Sequence, residues 1–92
     1  MAKFLVTAEV EDRTEWEESF RTHGALFAGF GFKSPIVIGT NDNNEVAVLI
    51  SVDDVQAAMA ILSSPDNVQA MEADGVKRDT VRALILDKEF SF

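Results

Sequence analysis

A tryptophan, two phenylalanines and the chain's single histidine stand at Trp16, Phe20, His23 and Phe27, spaced +4, +3 and +4. On a regular helix at 100° per residue they fall at about 0°, 40°, −20° and 20°, one narrow stripe with His23 near its centre. An imidazole ringed by aromatic groups has two readings. One is a core histidine bonded to a backbone carbonyl or to water. The other is a neutral imidazole in a hydrophobic cavity, able to accept or donate a proton near neutral pH. Trp16, Phe20 and Phe27 carry the same double reading. Aromatic residues at helical spacing are ordinary core, or they wall a pocket for a flat apolar molecule.

Other chemistries find less support. Ser19 lies one turn before His23, but no acid is placed to orient the base, and Glu9, Glu11 and Asp87 are remote; a hydrolase triad is not expected. With one histidine, no cysteine and no inward cluster of carboxylates, no metal site is expected. Gly29-Phe30-Gly31 lacks the third glycine and the lysine–threonine pair of a phosphate cradle, so no nucleotide cofactor is expected either. Asn41 to Asn44 has the oxygen-rich look of a calcium loop but not its glycine and closing glutamate; it reads as a turn.

Charge narrows the partners. Sixteen acids against eight bases leave a net charge of −8, and no basic stripe offsets it, so nucleic acid is not an expected partner. The acids are dispersed, as on solvated helix faces. No apolar run approaches the ~18 residues a membrane helix needs. Met1-Ala2-Lys3-Phe4 leads straight into a strand pattern and not into the apolar core of a secretion signal, so a cytoplasmic location is the expectation.

The elements that must position the stripe follow from periodicity. Phe4, Val6, Ala8 and Val10 alternate with Lys3, Leu5, Thr7 and Glu9, predicting a strand over residues 3–10. Asp12 with Glu15 resembles a capping box and starts one helix, which the spacing carries to about residue 28, with Gly29 and Gly31 ending it. A short strand at Ile36-Val37-Ile38, the Asn-rich turn and a strand over 45–52 make a hairpin. Ser51 or Asp53 caps a second helix with Val55, Ala58, Met59 and Leu62 on one stripe; Ser64-Pro65-Asp66 restarts it, Val68 and Met71 continue the stripe, and Gly75 stops it. A last strand covers 80–88. The order βαββαβ predicts a single ferredoxin-like α+β domain over residues 1–92: a four-stranded antiparallel sheet with two helices on one face. The other face should be polar in a monomer. Strands three and four instead carry apolar groups on both sides: Val46, Val48 and Ile50 against Ala47 and Leu49, and Ala83 and Ile85 against Leu84 and Leu86. This predicts a homodimer joined sheet to sheet.

Val10-Glu11-Asp12 followed by Trp16, Phe20 and His23, the Asn41–Asn44 hairpin, the Ser63-Ser64-Pro65 break and Met71 to Gly75 together resemble the dimeric α/β-barrel superfamily. It includes antibiotic-biosynthesis-type monooxygenases and stress-responsive barrel proteins. The resemblance spans nearly the whole chain and implies a dimeric α/β barrel with a cavity between helices and sheet. Cofactor-free monooxygenases of this kind use an asparagine, a tryptophan and tyrosines about that cavity. Here there is no tyrosine, and the asparagines sit in turns or, as Asn67, in the second helix. Haem-degrading relatives carry a late histidine, whereas His23 is early. The expectation is therefore a dimer that binds a small apolar or aromatic ligand through Trp16, Phe20, His23 and Phe27 without catalysis. The alternative is a cofactor-independent monooxygenase or isomerase with His23 as proton acceptor.

Overall fold

In the computed structural model, which describes residues 2–92, the first alternating segment forms β1 (Ala2–Val10) and buries Phe4, Ala8 and Val10. Asp12, two residues beyond that strand, is in extended conformation, and its carboxylate accepts from the backbone N–H groups of Thr14 and Glu15 at 2.9 Å. These two bonds satisfy amide groups that helix α1 (Arg13–Phe20) would otherwise leave unpaired. A 3₁₀ turn (Arg21–His23) and a short helix α2 (Gly24–Gly29) follow. Gly31 closes the segment at φ 82°, a left-handed value that suits glycine.

Strands β2 (Lys33–Thr40) and β3 (Glu45–Val52) form the hairpin, with Asn44 at φ 57° in its turn. Asn41 accepts from the backbone N–H groups of Asn43 and Glu45, so the asparagine-rich segment is a turn built by its own side chains. Helix α3 (Val55–Ile61) is capped by Asp54, one residue beyond the predicted position, because β3 keeps Ser51 and Val52 in the sheet. Ser64 caps α4 (Pro65–Ala73), with Pro65 at the first helical position. Gly75 turns the chain into β4 (Val76–Leu86).

The sheet is antiparallel throughout, in the order β2-β3-β1-β4. Both edge strands are longer than their sequence pattern predicts, because each contains an irregularity. Between Thr7–Arg82 and Glu9–Lys77, β1 advances two residues while β4 advances five. Thr80 Oγ1 accepts from the Glu9 N–H at 2.8 Å and donates to the Lys77 carbonyl, standing in for the lost ladder bonds. Between Lys33–Ser51 and Val37–Leu49, β2 advances four residues and β3 two.

The helices cover one face. Phe4, Val10, Val46, Val48, Ile50 and Val52 point into it and form the core with Trp16, Phe32 and Ala58. On the other face Val37, Leu49, Leu5 and Leu84 stand side by side across all four strands. Val37, Leu84 and Leu86 are 57, 52 and 48% exposed. No helix among the described residues is long and apolar enough to cross a membrane.

Phe4 has no exposed surface and meets Phe32 edge-on at 6.1 Å. Phe4→Ala is expected to lower unfolding stability by roughly 3–5 kcal/mol, read from urea denaturation. A loss below ~1 kcal/mol would mean that the core closes around the vacancy or is centred elsewhere.

Candidate functional site

Between helices and sheet lies a cavity of about 70 Å³. Its helical wall is a run of rings. Trp16 packs on Phe20 at 4.9 Å, Phe20 on Phe27 at 4.9 Å, and Phe27 stacks on Phe32 at 5.9 Å. Val6, Val48 and Ile50 form its floor on the sheet, while Ile36 and Val81 enter from the irregular stretches of the two edge strands. Such irregularities re-aim side chains that a regular ladder would place elsewhere. A groove of about 310 Å³ shares Phe20, Phe27, Phe32 and Ile36 with the cavity and continues past Lys33 and Ser34.

The fourth wall comes from α4 and its end. Asn67, Ala70, Met71 and Asp74 repeat at i, i+3, i+4 and i+7 and line the cavity together. Asn67 and Asp74 are buried polar residues, 6 and 8% exposed. Asn67 Nδ2 donates to the Leu62 carbonyl at 3.2 Å, bridging the break between α3 and α4. Asp74 caps the end of α4, and its side chain is 5% exposed. Ser19 Oγ donates to Asp74 Oδ1, and His23 Nε2 lies 2.9 Å from the same oxygen. A buried carboxylate needs such partners, because taking it out of water without them is costly.

Trp16, Phe20 and Phe27 all face the cavity; His23 does not line it. The imidazole meets Phe27 edge-on at 5.9 Å and stands behind Asp74, its side chain 20% exposed. The single long helix of the sequence reading is where that expectation departs from the structure. A 3₁₀ turn advances 120° per residue, not 100°, so three residues add roughly 60° of rotation. Thr22 Oγ1 donates back to the Ser19 carbonyl at 2.6 Å, the kind of bond that competes with the helical ladder. The 3₁₀ turn brings His23 into line with Phe20, and its Nε2 reaches Asp74 while the ring keeps its edge contact with Phe27.

The acid that the sequence did not place near Ser19 and His23 is therefore Asp74, brought from 55 and 51 residues away. The three do not form a nucleophilic relay. Ser19 and His23 meet the same carboxylate oxygen, and no Ser19–His23 hydrogen bond exists among the described residues. Asn67 and Asp74 are the residues that sequence reasoning passed over. One signal was available for Asp74: an acid at a helix C-terminus opposes the helix dipole, and such departures from local preference mark constrained sites. No group of three or more His, Cys, Asp or Glu among the described residues could hold a metal ion.

No family model matches the chain, and no curated protein does. Solved structures match it over nearly its full length. An antibiotic biosynthesis monooxygenase from Bordetella bronchiseptica is 10% identical at a TM-score of 0.76, covering 97% of each chain. SnoaB, a cofactor-independent oxygenase from Streptomyces nogalater, is 19% identical at 0.67, covering 98% of this chain and 94% of its own. An uncharacterised NIPSNAP domain protein from Burkholderia xenovorans is 12% identical at 0.66, covering 97% and 95%. These neighbours are ferredoxin-fold proteins of the antibiotic biosynthesis monooxygenase type, the superfamily that the sequence resembles. At these identities the likeness establishes the fold alone.

Asp74→Ala leaves Ser19 and His23 without their acceptor and is expected to cost roughly 1–3 kcal/mol of stability. A double-mutant cycle with His23→Ala, followed by urea denaturation, should give a coupling of about 0.5 kcal/mol or more. Strict additivity would mean that the 2.9 Å contact contributes nothing in solution.

Proposed function

We propose that the protein is a cytoplasmic homodimer that binds a small apolar or aromatic molecule between helices and sheet, without catalysis. The observation that carries this reading is the aromatic wall of Trp16, Phe20 and Phe27 facing a cavity, with His23 outside it. Ligand pockets are typically apolar concavities with a few convergent polar groups, and here Asn67 and Asp74 supply them. The alternative is a cofactor-independent monooxygenase or isomerase with His23 as proton acceptor. Its support is that one solved neighbour is a cofactor-independent oxygenase, and that a tryptophan and an asparagine share this cavity. Proton transfer from a cavity ligand to His23 would have to pass through Asp74, which makes the binding reading the simpler one.

Trp16 is the chain's only tryptophan, so its emission reports the cavity. Toluene is expected to change that emission saturably, one molecule per protomer. Ala70→Leu, which fills space on the α4 wall, should abolish the response while the far-UV spectrum is unchanged. A linear, unsaturable response in the unsubstituted protein would overturn the binding reading.

Support for the dimer is the row Val37, Leu49, Leu5 and Leu84, apolar and only partly covered. Contiguous exposed apolar surface of this kind usually marks an interface. Sedimentation equilibrium at micromolar concentration should give twice the 10.1 kDa chain mass. Leu49→Glu should yield folded monomer, since Leu49 lies on the face away from the helices. A chain that sediments only as monomer before substitution would refute the dimer.

A further inference from the structure

Asp74 is the one ionisable residue in the cavity wall among the described residues. Its two oxygens are not equivalent. Oδ1 takes both protein contacts, from Ser19 Oγ and His23 Nε2, and Oδ2 has no hydrogen-bond partner among the described residues. Yet no side-chain nitrogen or oxygen sealed from a water-sized group lacks a partner. Oδ2 is therefore reachable, although the side chain as a whole is 5% exposed. Asn67 repeats the pattern two turns earlier on the same wall. Its Nδ2 gives one N–H to the Leu62 carbonyl and keeps a second, and its Oδ1 has no partner among the described residues. Asp74 thus brings to the cavity wall a carboxylate oxygen without a protein partner among the described residues, set against rings and aliphatic groups.

We propose that Asp74 determines the specificity of this cavity, selecting a ring-shaped apolar ligand that carries an N–H or O–H donor, which it binds through the free Oδ2 of its buried carboxylate. This rests on the cavity being a ligand site. A donor reaching Oδ2 makes a charge-assisted hydrogen bond in surroundings with little water, where such bonds are strong. A ligand presenting an acceptor at that end meets an unpaired carboxylate oxygen instead, and sites built to pair one polar group reject the isostere that lacks it. Ser19 and His23 act as positioning residues: by occupying Oδ1 they decide which oxygen is left for the ligand.

The test compares indole with benzofuran, rings of the same size and shape that differ in an N–H donor against an oxygen acceptor. Amide chemical-shift titration of the full chain gives both dissociation constants. Benzofuran is the more hydrophobic, so a cavity without polar selection favours it. Indole is expected to bind about tenfold or more tightly, a difference of ~1.4 kcal/mol. N-methylindole, with its donor removed, should bind as weakly as benzofuran. Asp74→Asn adds a readout that a purely structural role would not move. Ser19 and His23 hold a carbonyl oxygen at the Oδ1 position, so the amide nitrogen takes the Oδ2 position and presents a donor. The preference should then invert toward benzofuran. If benzofuran binds the unsubstituted protein as well as indole, or if Asp74→Asn leaves the ratio unchanged, the proposal is overturned while the cavity reading stands. If neither ring binds, the cavity reading falls and this proposal with it.

Discussion

A carboxylate sits at the wrong end of a helix and away from water, and two residues from the first helical segment meet it there. Asp74 lies at the C-terminus of α4, where the helix dipole disfavours an acid, and burial adds a desolvation cost. Ser19 and His23 offset both by converging on Oδ1. The contact joins chain segments more than fifty residues apart, and it ties the two helical pairs to each other above the sheet. The hydrogen-bonding of His23 and the polarity of the cavity edge both follow from where that carboxylate is held.

The cavity itself is a packing consequence. Four short helical pieces cover a sheet whose inner face is a regular lattice of Phe4, Val10, Val46, Val48, Ile50 and Val52. Small residues on the inner surfaces of α3 and α4, Ala58 and Ala70, leave the layers less filled than longer side chains would. Irregular pairing in both edge strands then turns Ile36 and Val81 toward the space, so the sheet closes the cavity laterally. The opposite face stays regular. Its row of Val37, Leu49, Leu5 and Leu84 is in register across four strands and contrasts with the charged surface expected of so acidic a chain.

The local plan of the fold was legible from the residues. Alternation placed β1 and β3 and sorted their residues into two faces, Asp12 and Ser64 were identifiable as caps, and Pro65 and Gly75 bounded α4. These signals act over one to four residues, which is the range over which hydrogen bonds to side chains and helical or strand periodicity operate. The same range explains Trp16, Phe20 and Phe27: their spacing alone put them on one face, and the structure places them on one cavity wall. The edge strands were less legible. Their extra residues are held by Thr80 bridging to β1 and by the displaced pairing of β2 with β3, partners that lie far along the chain.

His23 marks the boundary between the two kinds of information. Periodicity at 100° per residue put it among the rings, and it does touch Phe27. Its Nε2 also meets a carboxylate supplied from 51 residues further along the chain. By itself the sequence determined the elements, their order and an aromatic run, because each depends on near neighbours along the chain. Only the tertiary structure decided that Asp74 would be the histidine's partner, that Asn67 would reach the cavity, and that Oδ2 would remain free. A buried carboxylate goes where distant donors can satisfy it, and nothing within four residues of Asp74 reveals where those donors are.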